Sequence, residues 1–302
     1  MEQPADVSPG QRVRHARLGP DGLQAPVGVF DSGVGGITIL DELLRELPNE
    51  RFVYFGDTGN CPYGVRSERE IQELSIAGAR LLLDHGAKII VVACNTASVS
   101  ALKELREACT IPFVGVVPAV KPAAERTHVG RVGVAATEAS ARGDYLKRLI
   151  TEHANGVEVL AVGCPRLVTL VEAGQLDGPT VEAVVREDIA PLLEAGIDEL
   201  VLGCTHFPAL RSVFERVAGP GVEVIDSGAA IARQTRRVLE RAGMLASGEP
   251  HMGGPAETAR PIGEGDLFLC SGPVATFEET TSAILGQRIQ ARRPGSLLAP
   301  VV

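Results

Sequence analysis

Two cysteines occupy matching places in the chain, and their surroundings could carry acid–base chemistry. Cys94 follows a short apolar run and precedes the polar residues 95–96, whereas Cys204 follows a similar run and precedes residues 205–206. Each apolar run predicts a buried strand, so that each cysteine would lie at the start of a helix. A thiol at a helix N-terminus is expected to have a lowered pKa, because the helix dipole favours the thiolate. The matching positions favour a functional pair over two unrelated core residues.

Three kinds of chemistry could use such a pair of thiols. One cysteine could act as a nucleophile with His206 as its base, or the two sulfurs could form a redox disulfide if they approach closely. The third is proton transfer on both faces of one carbon atom, where one thiolate removes a proton and the opposite thiol delivers one. The matching positions are explained better by this last chemistry than by a single nucleophile. A metal site at Cys204 and His206 lacks the usual ligand spacing, so the sequence predicts no metal.

Two further polar clusters follow predicted strands. The segment DSGVGG at 31–36 opens a helix, and its glycines and free backbone N–H groups could approach and bind an anion. It lacks the dinucleotide-binding pattern, which would require glycine at Thr38. The segment GDTGNCPYG at 56–64 has the composition of a loop, in which Tyr63 could present its hydroxyl to a ligand. Plain structural turns are the alternative explanation of both segments.

The elements that would position these clusters alternate along the chain. Short apolar runs, such as the one at 89–93, alternate with longer amphipathic segments. Continuous apolar strands are typical of parallel sheets that helices cover on both faces, so the pattern predicts an α/β fold. The predicted strands are 27–30, 51–55, 88–93, 111–117, 130–135, 156–161, 198–203, 222–225 and 266–269. The predicted helices are 36–47, 67–85, 97–108, 141–153, 180–195, 207–217, 229–243 and 275–286.

A weak internal repeat divides the chain into two similar halves. The segments around Asp31 and Thr137 match in pattern, and each precedes its cysteine by a similar distance. We therefore predict two similar parallel-sheet domains, Rossmann-like or flavodoxin-like, related by pseudo-twofold symmetry, with the active site in the cleft between them. The predicted organisation is a flexible N-terminal arm at 1–26, a first domain at 27–118 plus 228–290, a second domain at 119–227 and a loose tail at 291–302.

Composition restricts the classes of partner. The 302 residues carry a net charge of −9 and only 4% aromatic side chains. Nucleic acids and anionic membranes require a positive surface, and single-stranded nucleic acids also require stacking platforms, so we predict neither kind of partner. No two of the six cysteines are spaced as C-x-x-C, which favours reduced thiols in the cytoplasm over a disulfide framework.

The sequence resembles the glutamate racemase family in several linked motifs. These are DSGVGG at 31–36, GDTGNCPYG at 56–64, ACNTAS at 93–98 and LGCTHFPAL at 202–210. The resemblance implies interconversion of L- and D-glutamate without pyridoxal phosphate, metal or any other cofactor, and a supply of D-glutamate for peptidoglycan. A racemase for aspartate and a non-enzymatic two-lobed binding protein for an anionic metabolite are the alternative predictions.

The resemblance also implies roles for individual residues. Cys94 would deprotonate D-glutamate and Cys204 would deprotonate L-glutamate, while Asp31 and His206 would assist the two thiols. Because the ordinary pKa of cysteine is about 8.5, we expect that modest shifts let one thiolate and one thiol coexist near neutral pH. The implied substrate contacts are Asp31, Ser32, Pro62, Tyr63, Gly64, Asn95, Thr96, Thr137, Ser140, Glu172, Thr205 and His206.

One more motif bears on regulation. The segment GVVPAVKPA at 115–123, together with the long N-terminal arm, is similar to a subgroup of the family that a UDP-linked muramyl precursor activates. The partners that the resemblance implies are glutamate as substrate, this precursor as activator and a second copy of the chain in a homodimer.

Overall fold

The structure is a computed structural model, and it describes residues 20–247, 259–263 and 265–295. Most of the predicted arm and tail, at 1–19 and 296–302, lies outside the described residues. The strands occur where the sequence predicts them, with bounds that shift by one or two residues, and a short strand is added in the predicted tail. They are β1 (Val27–Asp31), β2 (Phe52–Gly56), β3 (Ile89–Val92), β4 (Phe113–Gly115), β5 (Arg131–Ala136), β6 (Glu158–Gly163), β7 (Glu199–Leu202), β8 (Glu223–Ile225), β9 (Leu267–Cys270) and β10 (Ala291–Arg292).

The described strands form two parallel sheets with the same underlying topology. The first has the order β10-β9-β2-β1-β3-β4, and the second has the order β6-β5-β7-β8. In the first sheet, Val27 of β1 pairs with Phe52 of β2 and with Ile89 of β3, and β5 pairs in the same way with β6 and β7. The predicted α/β fold with two similar parallel-sheet units is confirmed. We call the units built on these sheets the first lobe and the second lobe.

Amphipathic segments form the helices that pack on the two sheets. They are α1 (Ile37–Glu46), α2 (Glu68–Asp84), α3 (Asn95–Ala108), α4 (Val120–Arg126), α5 (Glu138–Arg142), α6 (Asp144–His153), α7 (Pro165–Glu172), α8 (Pro179–Glu194), α9 (Arg211–Ala218), α10 (Gly228–Arg241) and α11 (Val274–Leu285). The sequence did not predict α4 or α7, because segments this short show no clear helical period. The single helix predicted at 141–153 is instead two helices, α5 and α6, which meet at Gly143.

Strand order explains why the polar clusters meet. In each sheet the chain leaves the central strand, β1 or β5, first to one side and then to the other. Ligands of open parallel sheets bind beyond the carboxyl ends of the strands at such a reversal. The carboxyl ends of β1 and β3 present Asp31 and Cys94, and those of β5 and β7 are followed by Thr137 and Cys204. The topology therefore brings both thiols to the edges where the lobes face each other.

Two crossings of the chain connect the lobes. One follows β4 and the other follows β8, and the Ser227 hydroxyl joins them by donating to the backbone C=O of Val117 at 2.6 Å. After the second crossing, α10 packs on α1, and β9 joins β2, so this part of the chain returns to the first lobe. The bounds 27–118 plus 228–290 and 119–227 stay predictions. Every helix within the described ranges is too short or too polar to span a membrane.

Candidate active site

A cavity between the two lobes contains both candidate thiols. Cys94 reaches it from the first lobe and Cys204 from the second, and their exposed fractions are only 5% and 6%. Most of the predicted site residues line this cavity. They are Ser32, Pro62, Tyr63, Gly64, Cys94, Asn95, Thr96, Thr137, Cys204, Thr205 and His206.

Cys94 forms the N-cap of α3. Its Sγ accepts a hydrogen bond from the backbone N–H of Ala97 and donates one to the Ser32 hydroxyl, both at 3.5 Å. The prediction of a lowered pKa is nevertheless wrong for this thiol, because burial, with the charge of Asp31 added, raises the pKa of Cys94 to about 12. The hydrogen bonds to Ser32 and Ala97 act in the opposite direction and are outweighed by the loss of solvation. Cys94 is therefore a protonated thiol at neutral pH.

Asp31 lies beneath the cavity at the end of β1 and is fully buried. Its Oδ2 accepts the backbone N–H groups of Gly33 at 3.3 Å and of Gly36 at 2.8 Å. Its Oδ1 has no hydrogen-bond partner among the described residues. Burial raises the pKa of Asp31, although the nearby His206 lowers it. Asp31 is not a lining residue of the cavity, and it acts on Cys94 through its charge.

The Cys204 thiol faces the ring of His206. Its Sγ lies 3.7 Å from Nδ1, while Nε2 of the same ring lies 2.6 Å from Oε1 of Glu172. Burial lowers the pKa of His206, but hydrogen bonds with Cys204, Cys61 and Glu172 outweigh it and raise the pKa well above its usual range. Burial also raises the pKa of Glu172, but the hydrogen bond and charge of His206 bring it below its usual value. The ring thus donates from Nε2 to the carboxylate and directs its Nδ1–H at Cys204.

The helix predicted at 207–217 begins differently from the prediction. Phe207–Leu210 forms a 3-10 turn, and α9 starts only at Arg211. Pro208 lacks the N–H that would close an α-helical turn on the C=O of Cys204, so Phe207 donates to that C=O instead, at 3.1 Å. Cys204 is therefore not at the N-terminus of an α-helix, and the predicted dipole effect is wrong for this thiol. Its hydrogen-bonding partner is the imidazole ring of His206.

Glu172 is the last residue of α7. Its side chain reaches the loop at 33–36 of the first lobe, which we call the glycine loop. Its Oε1 accepts the backbone N–H of Val34 at 2.9 Å. A Cβ at Gly33 would lie 1.9 Å from that oxygen, and a Cβ at Gly35 would lie 2.5 Å from Nδ1 of His206, so the close approach requires glycine. The predicted use of free N–H groups in this loop to bind an anionic ligand is wrong for Gly33, Val34 and Gly36. The carboxylates of Asp31 and Glu172 already accept their hydrogen bonds.

The loop that follows β2 is fixed by the carboxylate of Asp57. It accepts hydrogen bonds from the Tyr63 hydroxyl at 2.7 Å, the Asn60 amide at 3.0 Å and the Ser271 hydroxyl at 2.6 Å. The Tyr63 hydroxyl therefore donates its hydrogen bond to Asp57, while Tyr63 lines the cavity as predicted. Its contact with a ligand stays a prediction. Because Ser271 follows β9, the returning part of the chain holds this loop in place.

Ser140 departs from the predicted set of cavity residues. It faces a second, adjacent cavity, which it shares with Tyr145. Its hydroxyl accepts from the Thr137 hydroxyl at 2.9 Å, and the Thr137 oxygen accepts from the backbone N–H of Ser140 at 3.3 Å. Ser140 thus contacts the cavity residue Thr137, whose hydroxyl oxygen caps α5 by accepting the Ser140 backbone N–H.

Four further lining residues were missed by the sequence analysis, namely Val65, Glu138, Pro165 and Val168. Pro165 and Val168 belong to α7, the short helix that the sequence did not predict. Glu138 directly follows the predicted contact Thr137, and this adjacency is the one signal that could have found it.

One group of side chains at the site has the donors of a metal site. Cys61 of the first lobe and both Glu172 and His206 of the second lobe place a sulfur, an oxygen and a nitrogen within 4.8 Å of one another. Sequence spacing does not predict this group, because its members come from three distant segments.

The fold and the site together define the class of the protein. Two α/β lobes that each present one buried thiol to a shared cavity make it an amino-acid racemase. The profile of the Asp/Glu/hydantoin racemase family matches residues 37–235, and the chain belongs to this family.

Relatives are similar over most of the chain. A glutamate racemase from Herpetosiphon aurantiacus is 51% identical over 220 residues, which are 73% of this chain and 87% of the relative. One from Deinococcus radiodurans is 43% identical over 272 residues, 85% of this chain and 94% of the relative. The crystal structure of Escherichia coli glutamate racemase, with L-glutamate and the activator UDP-MurNAc-Ala, has a TM-score of 0.76 at 33% identity and covers 89% of this chain and 97% of its own. The resemblance to glutamate racemases that the motifs predicted is confirmed.

The raised pKa of Cys94 makes its reactivity depend on pH. In a Cys204→Ala variant, alkylation of Cys94 by iodoacetamide should accelerate about tenfold per pH unit between about pH 7 and pH 10, because only the thiolate reacts and this window lies below the pKa of about 12. Peptide mapping by mass spectrometry measures the rate, with free cysteine in the same tube as the control. A plateau for Cys94 near pH 8.5, as expected for the free amino acid, would contradict the assignment.

Proposed function

We propose that the protein is a glutamate racemase that interconverts L- and D-glutamate without a cofactor. The observation that carries this proposal is the meeting of two thiols, from equivalent places in two similar lobes, within one buried cavity. The glutamate racemases that match this chain over most of its length support glutamate as the substrate.

The proposed reaction removes a proton from one face of the α-carbon and delivers another to the opposite face. With L-glutamate, the Cys204 thiolate removes the proton and the Cys94 thiol delivers one, an assignment of direction that rests on the family resemblance. The raised pKa of Cys94 keeps a proton ready on that sulfur. The protonated ring of His206 places its Nδ1 3.7 Å from the Cys204 sulfur, to which it can donate a hydrogen bond. D-Glutamate requires the opposite protonation state of the pair.

The cavity must also stabilise the carbanion, because an α-proton is far less acidic than a thiol. Polar groups that are fixed in a closed, water-poor site supply this stabilisation. Asn95 and Thr96 form the first turn of α3, so the positive end of that helix dipole faces the cavity. We infer that they bind the substrate carboxylates together with Ser32 and Thr205, which are buried in the same cavity.

The cellular role follows from the product. We propose that the protein supplies D-glutamate for peptidoglycan, and that it acts in the cytoplasm as a homodimer. A reducing compartment suits a reaction that needs unpaired thiols, and all six cysteines are free.

Replacing either thiol should stop racemisation. Cys94→Ala and Cys204→Ala should each lower the rate of L- to D-glutamate conversion by about 10²–10⁴-fold or more, because each removes one general acid–base group. Cys109→Ala, at the opposite end of α3, is the matched control and should keep the wild-type rate. Chiral chromatography measures the rate, and circular dichroism checks that each variant is folded.

The alternatives give different results in the same assay. Full activity in either active-site variant would contradict the two-base mechanism. Faster turnover of aspartate than of glutamate by the wild-type protein would identify an aspartate racemase. Binding of glutamate without turnover, unaffected by either substitution, would identify a binding protein.

A third cavity, at the crossings between the lobes, supports the proposed activation by a UDP-linked muramyl precursor. Its volume is about 760 Å³, and its lining includes residues from both crossings and the cationic side chains of Lys121, Arg126 and Arg233. Part of its wall is the segment at 115–123 that resembles the activated subgroup. Lysine and arginine are suited to binding a diphosphate. A ligand that touches both crossings can favour one arrangement of the lobes over another.

Activation should depend on these cations. UDP-MurNAc-L-Ala should increase the racemisation rate of the wild-type protein. A Lys121→Ala/Arg233→Ala variant should keep the basal rate but need about a hundredfold more activator, or more than that, because each of the two lost charged hydrogen bonds is worth about 1.5–3 kcal/mol. Lys103→Ala, an exposed lysine on α3, is the control. An unchanged wild-type rate, or equal activator requirement in the double variant, would contradict the assignment of this cavity.

A further inference from the structure

Three side chains that could ligate a metal ion converge where the two lobes touch. Cys61 comes from the loop after β2, Glu172 from the end of α7 and His206 from the turn after β7. Their Sγ, Oε and ring nitrogen atoms all lie within 4.8 Å of one another. In a tetrahedral zinc site with ordinary bond lengths, neighbouring donors are roughly 3.3–3.6 Å apart. Adjustments of about 1 Å in these side chains would therefore complete a site.

The glycine loop lets two of these donors approach one point. A Cβ at Gly33 would lie 1.9 Å from Oε1 of Glu172 and 3.1 Å from Sγ of Cys61, so both donors approach the same point over the Gly33 backbone. The Cys61 thiol interacts with both Glu172 and His206. Nε2 of His206 lies 2.6 Å from Oε1 of Glu172. The three donor atoms thus lie within direct reach of one another.

We propose that Cys61, Glu172 and His206 form an inhibitory site for a borderline-soft divalent ion of the zinc class. A thiolate, an imidazole and a carboxylate are the ligands that Zn²⁺ takes in proteins, whereas Mg²⁺ and Ca²⁺ prefer oxygen ligands only. Three protein ligands leave the fourth position to water. On binding, the ion displaces the thiol proton of Cys61 and the Nε2 proton of His206, and both protons pass to solvent.

Occupation of this site would interrupt turnover in two ways. The ion would coordinate Nε2 of His206, so that the ring could no longer donate a hydrogen bond to Glu172. The link that the ring forms between that carboxylate and Cys204 would then be lost. The ion would also cross-link the loop after β2 in the first lobe, through Cys61, to two side chains of the second lobe. Because the catalytic thiols come from opposite lobes, this cross-link would fix the cavity in one arrangement.

Cobalt binding tests the site without reference to the reaction. The metal-free full chain, reduced with a phosphine, is titrated with Co²⁺, whose thiolate charge-transfer absorption reports a cysteine ligand. The wild-type protein should show this band. Cys61→Ser should lose it and bind Co²⁺ about a hundredfold or more weakly, since it lacks one of three ligands. Cys109→Ser changes a partly buried cysteine outside the cleft. It is the matched control and should keep the absorption band. Cys61→Ala should also lose the band, which separates loss of the ligand from a folding defect caused by serine.

Inhibition is measured separately from binding. Zn²⁺ at about ten times its Kd should lower the racemisation rate of the wild-type protein about tenfold, because it occupies most of the sites. The rate of Cys61→Ser, relative to its own rate without Zn²⁺, should respond only at much higher concentrations. Inhibition of both proteins at equal Zn²⁺ would overturn the proposal.

Two results in the cobalt titration would also overturn it. The band could persist in Cys61→Ser, or it could disappear in Cys94→Ala or Cys204→Ala, which would place the ion on the catalytic thiols. Because the titration contains no glutamate, a failure of the metal site and a failure of the proposed racemase activity are distinguishable.

Discussion

The partly buried carboxylate of Glu172 is the contact on which the candidate active site depends. It belongs to the second lobe, but it accepts the backbone N–H of Val34 in the first lobe at 2.9 Å. The same oxygen holds Nε2 of His206 at 2.6 Å. One charge therefore joins the two lobes and fixes the ring that faces Cys204. Withdrawing most of a carboxylate from water is costly unless its hydrogen bonds are made, so this junction selects one relative placement of the lobes more sharply than an apolar contact would.

Two lobes of the same topology produce a site that is chemically asymmetric. Each lobe presents a thiol after an equivalent strand, yet Cys94 is close to the carboxylate of Asp31 and Cys204 is close to the imidazole of His206. Burial and the carboxylate favour the protonated form of the Cys94 sulfur, whereas the Cys204 sulfur faces a cationic hydrogen-bond donor. The two sulfurs thus have different surroundings, which suits a reaction that needs one proton donor and one proton acceptor.

The sequence predicts the fold and most of the residues that line the cavity, because apolar runs and the residues that follow them are local features. It does not predict the electrostatics. The helix N-terminus at Cys94 suggested a lowered pKa, but burial and Asp31, which are tertiary properties, reverse the direction. The same limit applies to the glycine loop, whose N–H groups bind protein carboxylates, and to the Tyr63 hydroxyl, which bonds to Asp57. Helix α7 was missed because it is too short to show a period, and with it the sequence analysis missed Pro165 and Val168 as lining residues.

The central claim is that two different thiols act on opposite faces of one carbon atom. The most direct test follows the first turnovers, in heavy water, of L-glutamate that carries ordinary hydrogen at its α-carbon. After chiral separation, mass spectrometry determines the deuterium at the α-carbon of each enantiomer. The account predicts that the D-glutamate formed carries deuterium from the start, because Cys94 delivers a solvent-derived proton, while the remaining L-glutamate keeps its original proton. Deuterium that enters both enantiomers at the same rate would show that a single base serves both faces and would contradict the account.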